Sequence, residues 1–243
     1  MASLKSSLSV CAGSQAAAAA PVRRQIWSLP PLLAIGLMLS VAAVNAQLTV
    51  HEHGGADQHQ AVSAHNRHTL LATNACSGCD LRGVDLSGQN LLGADLFGAD
   101  LRGANLAAAT LNGSNLREAN LAGANLATAV IAGVNFTGAI LAGADLRGIV
   151  SSRASFHLAD LSGARLNGAK LEYADMEGAS LNNADLSGAD LYEVHFLFAD
   201  LSNVNFSAAD LQGADLSQAT VDGTHTDAST TCPDQKPGPC RLR

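Results

Sequence analysis

The chain has 243 residues, of which 47% are hydrophobic and only 4% aromatic, and its formal net charge is −7. That length allows one or two globular domains. The basic residues form no patch, so the composition argues against binding to nucleic acid.

Residues 1–46 contain no Asp or Glu, and their composition differs from that of the rest of the chain. The basic pair Arg23–Arg24 precedes the apolar stretch Trp27–Val44, and small residues end the segment at Ala46. This order is typical of an export signal cleaved before Gln47. A retained membrane anchor is the alternative, but two prolines and the small-residue boundary favour cleavage. We therefore expect no stable membrane span in the mature protein.

The first 21 residues are rich in Ser and Ala, which makes the leader long for a simple signal peptide. Two explanations remain open. Translation could start at Val22 and give an ordinary bacterial leader, or residues 1–21 could be a plastid transit peptide ahead of a lumenal signal. We favour a periplasmic or secreted location, with the thylakoid lumen as the alternative.

Residues 47–75 form a His-rich segment, which we interpret as a linker followed by a short helix. Its histidines are His51, His53, His59, His65 and His68. Such a segment can bind zinc or copper, although a solvated linker is the simpler interpretation. The pattern of Gln60–Asn74 predicts a helix with Val62, Leu70 and Leu71 facing inward, where it would cover the edge of the next domain.

From Leu81 to Val221 an apolar residue, here called the centre, returns at every fifth position, and only Ser151 interrupts the series. Of the 29 centres, 21 are Leu; Ala stands two places before the centre in 21 units, Asp or Asn directly before it in 19, and Gly two places after it in 17. On a helix a step of five rotates each Leu by about 140°, and in a strand it alternates faces. A chain that turns once per unit, with Gly and Asp or Asn in the turn, can bury every Leu in one column.

The unit A-(D/N)-L-x-G resembles the pentapeptide-repeat family over residues 79–223. The resemblance implies an all-β fold, a right-handed quadrilateral parallel β-helix in which four units make one coil. It would have about seven coils in residues 76–223 and a short N-terminal capping helix. Stacked Leu and Ala would fill the interior, which implies no enzyme activity and no cofactor.

Four cysteines remain after the leader: Cys76 and Cys79 just before the repeat, and Cys232 and Cys240 just after it. In an oxidising compartment this arrangement indicates two local disulfides. Buried thiols or redox activity at Cys76–Cys79 are alternatives. Residues 224–243 are too polar to form a core of their own, so we expect a C-terminal tail with a disulfide loop.

The sequence indicates the function less directly than the fold. Some pentapeptide-repeat proteins imitate DNA and bind gyrase, but the twelve Asp between Asp80 and Asp215 all directly precede a centre and are explained as turn residues. Within the repeat only His157 and His195 are histidines, and we identify no catalytic, cofactor-binding or metal-binding residue. The sequence therefore predicts an exported scaffold or spacer that presents a surface to an unknown protein partner; metal binding by the His-rich segment and gyrase binding are the alternatives.

Two irregularities are candidates for such a surface. The first is the run Ile149–Arg153, which loses the Leu, the Asp or Asn and the Gly together, so that the coil either bends there or tolerates the change. The second is a set of large apolar residues at outward positions: Leu92, Phe97, Leu158, Tyr173, Tyr192, Leu197 and Phe198. Grouped exposed apolar residues often mark a partner site.

Overall fold

The computed structural model describes residues 54–242. The leader, His51 and His53 lie outside the described residues. The described part contains one helix, α1 (Gly54–Thr73), followed by single-residue β-bridges separated by turns. Within that part no helix is both long enough and apolar enough to cross a membrane.

The repeat forms a continuous parallel ladder. Each bridge joins the residue before a centre to its equivalent twenty residues later, from Ala75↔Asp95 to Asn205↔His225, so four pentapeptides complete one coil. Leu81 N donates to the carbonyl of Asp100 at 2.8 Å, and similar bonds recur along the repeat. The backbone that a five-residue turn exposes is thus paired between coils.

The core runs along the axis of the ladder. Every centre from Leu81 to Leu211 is at most 4% exposed, and the Ala two places earlier are buried with them. Phe replaces Leu at four centres, and Phe136 and Phe156, which lie in successive coils, stack with their centroids 4.9 Å apart. Burying one such side chain contributes about 1.5–3 kcal/mol, so the recurring centres supply most of the rod's hydrophobic stabilisation.

Glycine recurs two places after the centre for a conformational reason. The residue two places after each centre has a positive φ, close to +60° at most positions, for example 63° at Gly83. This left-handed conformation costs a residue with a Cβ about 1–2 kcal/mol. Twelve units nevertheless carry another residue there, among them Leu158 and Phe198, and these exceptions bear on the functional site.

The irregular run around Ser151 does not open the coil. Ser151 N donates to the carbonyl of Lys170 at 2.9 Å, and Val150 N donates to that of Ala129 at 2.9 Å. Ile149, in the place normally held by Ala, is fully buried beside the small Ser151. A large side chain and a small one have exchanged positions, so the interior stays filled and the ladder continues.

Helix α1 starts earlier than the sequence indicated, and it turns a different face to the coil. Leu70 is fully buried and Ser63 is 5% exposed, whereas Val62 and Leu71 are 49% and 38% exposed. The prediction that Val62 and Leu71 both face inward is wrong. At about 100° per residue, nine positions bring them to opposite sides of one helix, and the buried face follows the spacing of Ser63 and Leu70.

Side chains of α1 also bind the free edge of the first coil. Asn66 Nδ2 donates to the carbonyl of Asp80 at 3.0 Å, and Arg67 Nε donates to that of Asp85 at 2.7 Å. Asn74, directly after the helix, donates from Nδ2 to the carbonyl of Leu92 at 2.8 Å. Further along the rod, the carbonyls at the equivalent positions accept hydrogen bonds from backbone N–H groups of the preceding coil. These donors therefore occupy the place of a missing coil.

The ladder continues beyond the last clean repeat. His225 pairs with Asn205, and Thr231 pairs with Asp210 after a spacing of 21 instead of 20 residues. Thr231 then forms an antiparallel bridge with Pro237. The segment that we interpreted as a polar tail thus contributes backbone to the rod, and Thr230 is fully buried.

Both ends of the rod carry a disulfide. The structure joins Cys76 to Cys79 and Cys232 to Cys240. Cys76 and Cys232 are buried, at 4% and 8% exposure. Each disulfide therefore lies where the core meets a terminal segment.

Candidate functional site

The acidic residues of the repeat are mostly occupied within their own turns. Asp185 is typical: its Oδ1 accepts a bond from Ser187 N at 3.0 Å. Asp80 accepts two side-chain bonds from Arg82, at 2.9 and 2.7 Å. These bonds from Arg82 lower the pKa of Asp80 to about 2, although partial burial opposes the shift. The turn chemistry expected from the sequence explains these carboxylates without a partner.

Amide side chains separate many of the carboxylates. Asn105 Nδ2 donates to Asp85 Oδ1 at 3.0 Å, and Asn205 does the same to Asp185 at 3.0 Å. These bonds link one coil to the next along a column. Neutral residues thereby interrupt the rows of acids, which do not form an unbroken negative stripe.

The outward apolar residues differ in exposure. Leu92, Leu158 and Phe198 are 59%, 60% and 61% exposed. Tyr173 and Phe97 are about two-fifths exposed, whereas Tyr192 and Leu197 are half-buried. The exposed set also includes Ile140, which the sequence did not single out, and Val150, which lies within the irregular run Ile149–Arg153.

Several of these residues lie on one side of the rod, here called the irregular face. It consists of three stretches that stack in successive coils, 152–158, 172–178 and 192–198. The bridges Ser155↔Asp175 and Asp175↔His195 hold the stretches together. Leu92 and Phe97 lie three coils or more away, towards α1.

One edge of the irregular face is apolar. Leu158 and Phe198 occupy equivalent positions two coils apart, and Gly178 lies between them. A Cβ added to Gly178 would meet Leu158 Cδ2 at 2.7 Å, which shows that the Leu158 side chain leans over the glycine. The space above Gly178 is therefore part of the apolar edge, to which Leu197 also belongs.

The opposite edge is aromatic. The rings of Tyr173 and Tyr192 meet edge to face with centroids 5.5 Å apart. Arg153 Cζ lies 5.8 Å from the centroid of Tyr173, within reach of a cation–π interaction. These contacts order large side chains at the surface of the rod.

The corner positions of the irregular face, which stand two places after each centre, have the left-handed conformation, and most of them are not glycine. Five of its six corner positions are non-glycine residues with φ between 52° and 60°: Arg153, Leu158, Tyr173, Glu193 and Phe198. Gly178 is the sixth, with φ 64°. The rod thus bears local backbone strain where it presents its largest surface side chains, an association typical of functional positions.

Between the two edges lies a cluster that the sequence analysis missed. His157, Asp175 and Glu177 are half-buried, and one ligand atom from each lies within 4.8 Å of the others. His157 stands 18 positions before Asp175 and 20 before Glu177, and only the twenty-residue coil brings it to them. The signal is present in the sequence, because His157 and Glu177 both directly follow a centre and stand twenty residues apart.

The histidines of the His-rich segment form no such cluster in the part of the chain that is described. His59 Nδ1 lies 3.8 Å from Asp80 Oδ2, and His65 and His68 are exposed on α1. The cluster of His157, Asp175 and Glu177 is the one metal-type group found among residues 54–242.

The fold and its five-residue unit define a class of β-helical repeat proteins. The model of the pentapeptide repeats matches eight copies at residues 76–113, 109–148, 159–197 and 199–224. Because these matches span more than half of the chain, the protein belongs to the pentapeptide-repeat family, whose members fold as right-handed quadrilateral β-helices.

Solved structures of the same family are similar to this chain. HetL from the cyanobacterium Nostoc, a protein involved in heterocyst differentiation regulation, is 32% identical; the match covers 68% of this chain and 87% of HetL, with a TM-score of 0.42. QnrB1, a plasmid-mediated fluoroquinolone resistance protein, is 22% identical over 63% of this chain and 82% of its own, with a TM-score of 0.55.

A pentapeptide-repeat protein from the thylakoid lumen of Arabidopsis thaliana is 33% identical over 51% of this chain and 70% of its own, with a TM-score of 0.32. No curated protein sequence matches the chain. The family assignment rests on the repeat matches, and the function must be argued from the chain's own surface.

Proposed function

We propose that this protein is an exported, non-enzymatic repeat scaffold whose irregular face binds a protein partner. One observation carries the proposal: large apolar side chains are exposed at corner positions where the backbone favours glycine. Leu158 and Phe198 are about three-fifths exposed and have φ of 56° and 59°. The fold alone gives no reason for these residues, because glycine fits the same conformation without strain.

The chemistry of the face favours a protein surface as the partner. Its apolar edge can enter a partner's core contact, and the ordered tyrosines of its aromatic edge offer large contact area with a polar tip. The acids elsewhere on the rod are bound by their own turns and by neighbouring amides. This arrangement supports a protein-binding scaffold over imitation of DNA.

Two features of the chain support export. Two disulfides at the ends of the rod suit an oxidising compartment, and the leader has the composition of an export signal. We propose a periplasmic or secreted protein; the thylakoid lumen is the alternative, based on the Ser- and Ala-rich first 21 residues. Sequencing the N-terminus of the native protein tests this, since export with cleavage predicts Gln47 as the first residue.

We further propose that residues 76–223 form about seven coils, that α1 is their N-terminal cap, and that residues 224–243 close the other end. The three side-chain donors of the helix region support the first closure, because they bind carbonyls that would otherwise end the ladder. A covered edge protects a sheet from pairing with other chains. The rod can then present its side faces without associating end to end through α1.

The binding proposal is tested by comparing three versions of the protein produced with its leader in the organism that makes it. The first is unchanged, the second carries Leu158→Asn and Phe198→Asn, and the third carries Leu92→Asn. Asn suits the left-handed position, as Asn183 and Asn203 show with φ of 59° and 57°. Leu92 is as exposed as Leu158 but lies outside the irregular face.

After cross-linking in cells, we expect one partner to be recovered with the unchanged protein and with the Leu92 variant, and to be at least tenfold depleted with the double variant. Equal recovery with all three proteins would overturn the irregular face as the binding surface. All three must show the same far-UV circular dichroism, so that loss of folding is not mistaken for loss of binding.

A further inference from the structure

We propose that His157, Asp175 and Glu177 form a binding site for a divalent transition-metal ion, for which Zn²⁺ is the probe. Their ligand atoms all lie within 4.8 Å of one another. Atoms that bind one zinc ion tetrahedrally at about 2.1 Å are about 3.4 Å apart. Modest side-chain rotations therefore suffice to bring the three groups onto one ion.

The rod positions the ligands before any ion arrives. His157 and Glu177 each directly follow a buried centre, and they stack because they are twenty residues apart. Leu158 N donates to the carbonyl of Glu177 at 2.9 Å, and Phe156 N donates to that of Asp175 at 2.7 Å. Hydrogen bonds between coils thus fix the backbone of all three ligands, and binding needs little reorganisation.

The charges at this cluster differ from those at the three aspartates of the repeat that are paired with arginine. Asp80, Asp100 and Asp145 each have an arginine two residues later, and each forms an ion pair with it. In the equivalent place after Asp175 stands Glu177, a second carboxylate. Among the residues that the structure describes, neither of the two has a basic side chain within 4.0 Å. A bound cation would remove the repulsion between them.

The set of donors indicates the kind of cation. An imidazole nitrogen with two carboxylate oxygens suits zinc and similar first-row ions, whereas calcium and magnesium prefer oxygen donors alone. Three protein ligands on a half-buried surface leave at least one coordination position to water or to a partner's side chain. The site lies between the apolar and aromatic edges, so a bound ion would be accessible on the surface of the irregular face.

The test must separate this site from the His-rich segment. We therefore start from a full-length chain in which the five segment histidines are changed to Gln: His51, His53, His59, His65 and His68. Three histidines remain, at positions 157, 195 and 225. His157→Ala and Glu177→Gln are then introduced singly, and His225→Ala is the control, because His225 lies in the ladder but outside the cluster.

Isothermal titration of the metal-free proteins with Zn²⁺ alone gives the readout. We expect one ion per chain in the background protein, at least tenfold weaker binding with His157→Ala or Glu177→Gln, and less than a twofold change with His225→Ala. The proposal is overturned if the background protein binds no zinc, if His157→Ala leaves the affinity unchanged, or if His225→Ala weakens it equally. Matching circular dichroism spectra exclude misfolding as the cause.

Discussion

The neighbouring residues Leu70 and Leu71 allow a direct test of how α1 holds the rod. Leu70 is fully buried against the core, and Leu71 is 38% exposed. Replacing a fully buried Leu by Ala removes its transfer free energy and leaves a cavity, at a cost of about 2–5 kcal/mol. The same change at Leu71 should cost about 1 kcal/mol or less, because much of that side chain is already in water. The small gain in helix propensity is common to both and cancels in the comparison.

Because each coil contacts only its neighbours, the loss should remain local. Hydrogen exchange measures it: with Leu70→Ala the opening free energy of the α1 amides should fall by at least about 2 kcal/mol, while the amide of Leu146 in the middle of the rod stays unchanged. With Leu71→Ala both regions should keep nearly their original protection. Equal effects of the two substitutions on α1 would refute the packing described for the helix.

Three further outcomes follow from the geometry. Gly188→Ala should lower the free energy of unfolding by about 1 kcal/mol, because φ at Gly188 is 65°. Gly178→Ala should lower it more, because the added Cβ would also meet Leu158 Cδ2 at 2.7 Å. Thermal unfolding measures both changes, and no loss at either position would contradict the left-handed turn. The pKa of Asp80 is lowered from 3.8 to about 2, so the stability that its ionised form contributes is complete above pH 3.8 and is lost as the pH falls towards 2. In an acid titration, Asp80→Asn should therefore lose stability less steeply with falling pH than the unchanged protein. Identical curves for the two proteins would count against the ion pair. Reducing both disulfides should lower the opening free energy at each end of the rod by about 2–3 kcal/mol. Hydrogen exchange measures this change. If the amides at the ends exchange as slowly as before, the cross-links add no stability.

The repeat was predictable because its physical requirements recur in every unit. Each Leu centre had to be buried, and the Gly two places later had to adopt the left-handed conformation that the structure shows at Gly83. Neither requirement depends on distant parts of the chain. Local pattern was therefore sufficient for the core and for the turns.

The remaining features depend on contacts that the local pattern does not contain. The inward face of α1 is set by the edge carbonyls that Asn66 and Arg67 reach, so Val62 was placed on the wrong side. The extension of the ladder to Thr231 was hidden by one inserted residue. His157 meets its carboxylate neighbours only because the coil closes after twenty residues.

Footprinting with hydroxyl radicals tests the central claim most directly, because it reads side-chain exposure while the partner is bound. The native protein is labelled alone and then in the contents of its own compartment. Leu158 and Leu92 are the matched pair, at 60% and 59% exposure. The proposed binding surface predicts that Leu158 and Phe198 become at least severalfold less reactive while Leu92 is unchanged. Equal labelling of Leu158 and Leu92 under both conditions would contradict a partner on the irregular face.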